Sequence, residues 1–89
     1  MAQANADPDT LEEFARDLNI YLEELNALTK GIQQRFALLS ETWRDQDQQR
    51  FADEFDHLTV NLERFCTAAE PMIPHLRKKA AHLRGYFGE

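Results

Sequence analysis

Glu54-Phe55-Asp56-His57 carries the one spacing in this sequence that a metal centre would use. A glutamate and a histidine three residues apart share a side of a helix, and carboxylate-bridged di-iron bundles take such a pair from each of two helices. Two copies of the chain would supply both pairs, with Glu23 or Glu24 as the remaining carboxylates. Helical geometry argues the other way. Counted from Phe51 at roughly 100° per residue, Glu54 falls near about −60° and His57 near about −120°, turned away from the apolar side. The pair therefore reads as part of a solvated face. His75 and His82 are seven residues apart, roughly 10.5 Å along a helix, too far to share one ion. Cys66 stands alone beside apolar residues and reads as a buried, inert thiol. No nucleophile–base set, glycine-rich phosphate loop or cysteine pair occurs. The chain reads as non-enzymatic, with no cofactor and no metal.

The composition sets the class. Eighty-nine residues make one domain at most, and an apolar fraction of 43% with 10% aromatics belongs to a folded protein. One cysteine excludes a disulfide-stapled miniprotein. No run is apolar enough for a signal peptide or a membrane span. The net charge of −6 is unevenly spread: residues 1–76 hold 6 basic and 15 acidic side chains, residues 77–89 hold 4 basic and 1 acidic. An acidic body argues against general nucleic-acid binding.

The elements that would position these residues are helical. Residues 1–6 have no pattern and are expected to be loose. Asp7-Pro8-Asp9-Thr10 is a helix start, with Asp7 as cap before Pro8, or capping boxes from Thr10 to Glu13 or Asp9 to Glu12. Leu11, Phe14, Leu18, Tyr21, Leu25, Leu28 and Ile32 follow at alternating steps of three and four, the signature of a coiled-coil-like seam. They predict helix 1 over 8–39. A turn follows at 40–44 and helix 2 at 45–84, started by Asp45 with Gln48 or by Thr42 with Asp45. The second stripe is Phe51, Phe55, Leu58, Leu62, Phe65, Ala69, Met72, Leu76, Ala80, Leu83 and Phe87. Pro71 and Pro74 interrupt it without breaking its phase, which predicts one helix kinked there. Gly85 is placed to end that helix behind Arg77, Lys78, Lys79 and Arg84, cations suited to a helix C-terminus. On helix 1, Ile20, Ala27, Gly31 and Leu38 form a second apolar face opposite the stripe. Two long helices touching along one seam make a thin core for so many Leu and Phe. The expected fold is an all-α antiparallel hairpin that dimerises into a four-helix bundle, with Ile20, Ala27, Gly31 and Leu38 as partner interface.

Between Leu39 and Phe51 the only large apolar residue is Trp43, in the polar stretch Ser40-Glu41-Thr42-Trp43-Arg44-Asp45. A tryptophan in a turn calls for burial between the helices it joins. Trp43, Phe51 eight residues on and Leu58 one heptad later, set in a hairpin of this length, resemble the Trp-x-Gly (WXG) family of small helical-hairpin proteins linked to type VII, or ESX, secretion. The third motif position departs from the family, Asp45 standing for glycine. The resemblance implies a secreted or carrier protein that works by dimerisation. Its partners would be a second copy or a related hairpin, and beyond it a secretion ATPase or a larger secreted toxin. It also implies a place in the cytoplasm or outside the cell without a cleaved signal peptide. The family's export signal, Tyr followed at the fourth residue by Asp or Glu, is only approached by Tyr86-Phe87-Gly88-Glu89, where the acid comes at the third. The alternative reading is a cytoplasmic adaptor or regulator whose basic C-terminal segment (Arg77, Lys78, Lys79, Arg84, with Tyr86 and Phe87) docks a partner.

Overall fold

A computed structural model describes residues 6–86, and almost all of them lie in three helices: α1 (Pro8–Leu39), α2 (Gln46–Ala69) and α3 (Met72–Tyr86). No strand occurs among the described residues. The loose segment expected over 1–6 lies outside them except for Ala6, as does Phe87 at the end of the second stripe.

Side chains fix the helix starts. Asp7 keeps an extended backbone, and its carboxylate accepts the Thr10 N–H at 2.9 Å and the Thr10 hydroxyl at 2.9 Å. Pro8 fills the first helical position, where an N–H would have no acceptor. The backbone bond first, then the hydroxyl, hold the Asp7 carboxyl below the ordinary carboxylate range. The cap is therefore fully formed above the ordinary value and weakens as pH falls through the lowered one. Asp45 does the same for α2, accepting the Gln48 N–H at 3.0 Å. The Gln48 side chain does not close a capping box. Its amide donates to the Ser40 hydroxyl at 2.9 Å and ties the two ends of the turn together.

The bend expected near Pro71 and Pro74 is present, as a break two residues long. Pro71 has no N–H to offer the Thr67 carbonyl, and the chain leaves the helix at Glu70 and Pro71. The ladder resumes at once, Ile73 N–H donating to the Glu70 carbonyl at 3.2 Å and His75 N–H to that of Pro71 at 3.4 Å. Pro74 falls in the first turn of α3, where its missing N–H costs little. Gly85, expected to end the helix, lies inside the last turn of α3.

The molecule measures 65 × 20 × 14 Å, one helix thick. The chain doubles back on itself, and α1 meets α3 more closely than it meets α2. Residues seven apart line the seam: Ala15, Leu22 and Thr29 on α1, then Thr59, Cys66, Ile73 and Ala80 on the returning helices, all buried. Ala69 and Leu83 complete it, with Leu18, Leu25 and Leu76 half-buried alongside. Thr59 satisfies its hydroxyl by donating to the Asp56 carbonyl at 2.9 Å. This corrects the expected seam. Leu11, Leu18 and Leu25 do border it, but Phe14, Tyr21, Leu28 and Ile32 are exposed, as are Phe51, Leu58, Phe65 and Met72. The neighbouring heptad of smaller residues won the inside. Ala15 and Ala80, both with no exposed surface, let two backbones approach where a phenylalanine would hold them apart.

That close approach is testable. Ala80→Leu should overpack the α1–α3 seam and cost about 1–3 kcal/mol in urea unfolding followed by circular dichroism. Ala81→Leu, one residue along on the exposed side, should stay within about 0.5 kcal/mol of the wild type.

Candidate functional site

Two features of this hairpin are built for contact: the turn around Trp43 and the broad face beside the seam. α1 ends at Leu39, and the chain tightens into the turn with Glu41 N–H donating to the Leu38 carbonyl at 3.1 Å and Trp43 N–H to that of Leu39 at 2.9 Å. The Trp43 ring then lies on Phe51, centroids 5.8 Å apart. Phe51 continues to Phe36 at 5.5 Å, and Phe36 to Phe55 at 4.9 Å, so four rings join the last turns of α1 to the first turns of α2. These rings hold the two helices apart. A cleft of about 180 Å³ opens on one side of them between Ile32, Leu39, Phe51 and Phe55, with Arg35 at its rim. Trp43 is half-buried, with its ring against Phe51 of α2.

The broad face follows from the seam. On each helix a row of large residues sits one position before the buried row: Phe14, Tyr21 and Leu28 on α1, then Phe51, Leu58, Phe65 and Met72 on the return. Tyr21 and Phe65 meet edge to face, centroids 6.4 Å apart at 86°. That contact puts both rows on the same side of the hairpin, with Leu28 level with Leu58. Ile32 and Leu39 extend the α1 row toward the turn. These residues are 46–71% exposed. Half-exposed side chains of roughly 150–250 Å² apiece put on the order of 10³ Å² of apolar surface on one face, where a monomer rarely shows more than a few hundred.

The other residues singled out by sequence are placed as follows. Ile20 and Leu38 are exposed and Ala27 with them, on the side of α1 turned away from the seam. A Cβ added at Gly31 would meet nothing within 4 Å, so the glycine serves no approach within the chain. Beside it runs an open groove of about 410 Å³ lined by Ala27, Leu28, Gly31, Ile32 and Arg35. Arg77, Lys78 and Lys79 are exposed, and Tyr86 ends α3. Arg84 is not free to dock anything: its guanidinium donates to Asp9 at 2.7 Å and pairs with Glu12 at 3.2 Å, bonds that raise its pKa above the ordinary value. Sequence reading missed this ion pair, whose members are far apart in the chain. Only the hairpin brings the two ends together. Glu23, Glu24, Glu54 and His57 are exposed, and the described residues hold no group of three or more His, Cys, Asp or Glu placed to bind a metal. Cys66 is buried in the seam. No described helix is long and apolar enough to cross a membrane.

A family model described as "Proteins of 100 residues with WXG" matches residues 3–86, nearly the whole chain. The chain belongs to this family, WXG100. No curated, characterised protein matches it. Within a WXG100 protein the departure at Asp45 has a local explanation. The third position of Trp43-Arg44-Asp45 is the N-cap of α2, a site that aspartate fills well and glycine acceptably. Phe51 is the residue on which the tryptophan lies.

Asp45→Gly, which restores the family tripeptide, should lower stability by only a few tenths of a kcal/mol, and Asp45→Ala by about 0.5–2 kcal/mol, both read from urea midpoints. Trp43→Ala should cost less than the roughly 3–5 kcal/mol of a fully buried tryptophan, because part of the residue is already in water. An equal loss for Asp45→Gly and Asp45→Ala would contradict the capping role.

Proposed function

We propose that this WXG100 protein is a non-enzymatic component of a type VII-like secretion route that works as half of a four-helix bundle. Its partner is a second copy or a related hairpin, seated on the face made by Phe14, Tyr21 and Leu28 with Leu58, Phe65 and Met72. What supports this reading is the exposure of that face: a slab one helix thick with two aligned rows of large apolar side chains is half of a core. The hydrophobic gain on covering it, at about 25 cal/mol per Å², is large enough to drive association of a chain this size. The set Ile20, Ala27, Gly31 and Leu38 is a second, smaller contact around the back of α1. The further partners are those the family implies, a secretion ATPase or a larger secreted toxin. The working place is the cytoplasm, or the exterior by a route that needs no cleaved leader.

The test is mass in solution. Light scattering of the purified protein should give about twice 10.4 kDa at micromolar concentration. Tyr21→Glu with Phe65→Glu should return it to the monomer while the helical signal persists. Ile20→Glu with Leu38→Glu should leave the dimer intact. A folded wild-type monomer would refute the reading, and dissociation by the second pair alone would move the interface to the back of α1.

A further inference from the structure

The cations of α3 do not have the explanation their sequence position suggests. Read as the end of one long helix, Arg77-Lys78-Lys79 is a cluster complementing the C-terminal dipole. α3 runs on through Gly85 to Tyr86, which leaves that run seven to nine residues from the helix end, and the cation in its last turn is Arg84. The dipole acts within the last turn and does not reach the run. Ion pairs do not account for it either. Arg77, Lys78 and Lys79 make none among the described residues; of the acids at the start of α1, Asp9 and Glu12 are taken by Arg84. In a chain of 16 acids and 10 bases, α3 contains no acid at all.

The placement is regular. His75, Lys78, Lys79 and His82 fall at i, i+3, i+4 and i+7, one stripe along the helix, and all are exposed. The opposite side of α3 is the seam, where Ile73, Ala80 and Leu83 are buried. The stripe therefore stands on a helix whose inner side is packed and whose last turn is pinned by Arg84.

We propose that the outward face of α3, centred on Lys78 and Lys79 with His75 and His82 beside them, is a docking surface for an acidic protein segment, a helix or tail presenting two or three carboxylates within about one turn. Charge complementarity selects that occupant. A nucleic acid would carry its phosphates past the patch onto residues 1–71, which hold 6 basic and 15 acidic side chains in a body 20 Å wide. Repulsion there acts within the Debye length of about 8 Å. A membrane surface needs a row of apolar side chains to bury beside the cations, and among the described residues the stripe is continued only by Met72. A short acidic segment meets the cations and stops.

The probe is a fluorescein-labelled helical peptide with four glutamates along one face, followed by anisotropy against the full-length protein. A thymidine oligonucleotide and vesicles of phosphatidylcholine with phosphatidylglycerol are tested in parallel. Binding of the peptide is expected, weakening steeply with salt. Lys78→Glu with Lys79→Glu should lose it by about tenfold or more, while Arg16→Glu with Arg64→Glu, the same charge change on α1 and α2, should stay within about twofold. Mass and helical signal should be unchanged in both. The proposal is overturned if the lysine pair binds like the wild type, if the arginine pair loses as much, or if oligonucleotide or vesicles bind more tightly than the peptide. It is overturned also if the lysine pair changes the mass, which would make the stripe a contact between copies. The dimer reading is independent of every one of these outcomes except the last.

Discussion

A hairpin of two helices has one seam, and in this chain the seam fills before the apolar residues run out. Each helix carries two adjacent heptads, one of small to medium residues and one of large residues a single position earlier. Only one can face the neighbouring helix. The small set goes inside because side chains such as Ala15 and Ala80 allow backbone approach, and close approach multiplies the weak contacts that hold a thin core. The large set is then displaced to one side. In an antiparallel pair the same one-residue offset on both helices sends both large rows to the same side, as the Tyr21–Phe65 contact records. One packing choice thus fixes both the seam and the open face.

The two ends of the hairpin are held by different forces. At the turn, Phe36, Phe51 and Phe55 prop α1 and α2 apart and Trp43 covers Phe51, contacts between rings that salt does not screen. Asp45 starts α2 in the register that sets Phe51 under the tryptophan. At the other end the seam is narrow, and the start of α1 and the end of α3 are joined by Arg84 to Asp9 and Glu12 at the surface. Such exposed pairs are weak singly and weaken with ionic strength. They occupy Arg84 with Asp9 and Glu12, while Arg77, Lys78 and Lys79 make no ion pair among the described residues.

Much of this was legible in the sequence, and the failures share a cause. The all-helical hairpin, the bend at Pro71 and the caps at Asp7 and Asp45 follow from local chemistry: periodicity, a missing N–H, a carboxylate before a helix. The family was legible from Trp43 with Phe51 and Leu58. What periodicity cannot decide is which of two neighbouring apolar heptads faces inward, since Phe14 and Ala15 differ by one position and the larger residue draws the eye. That choice depends on the distance between backbones, a tertiary quantity. Arg84 escaped for the same reason, its acids lying at the far end of the chain. Gly85 misled in a simpler way: a glycine near a helix end favours termination, but nothing obliges the last turn to stop there.

Where α3 ends decides what its cations can do. The helix runs on through Gly85 to Tyr86, so Arg77, Lys78 and Lys79 stand seven to nine residues from its end, beyond the reach of the dipole. The seam then commits the apolar side of that helix inward, and Arg84 takes Asp9 and Glu12. Each step is a local requirement: a last turn that continues past a glycine, a packed alanine, a satisfied guanidinium. Their combined result is a cationic stripe on an acidic protein, held at fixed spacing by contacts that do not involve the stripe itself. Arrangements of that kind, in which charge is positioned by packing and makes no ion pair among the described residues, are where an external partner has something to bind.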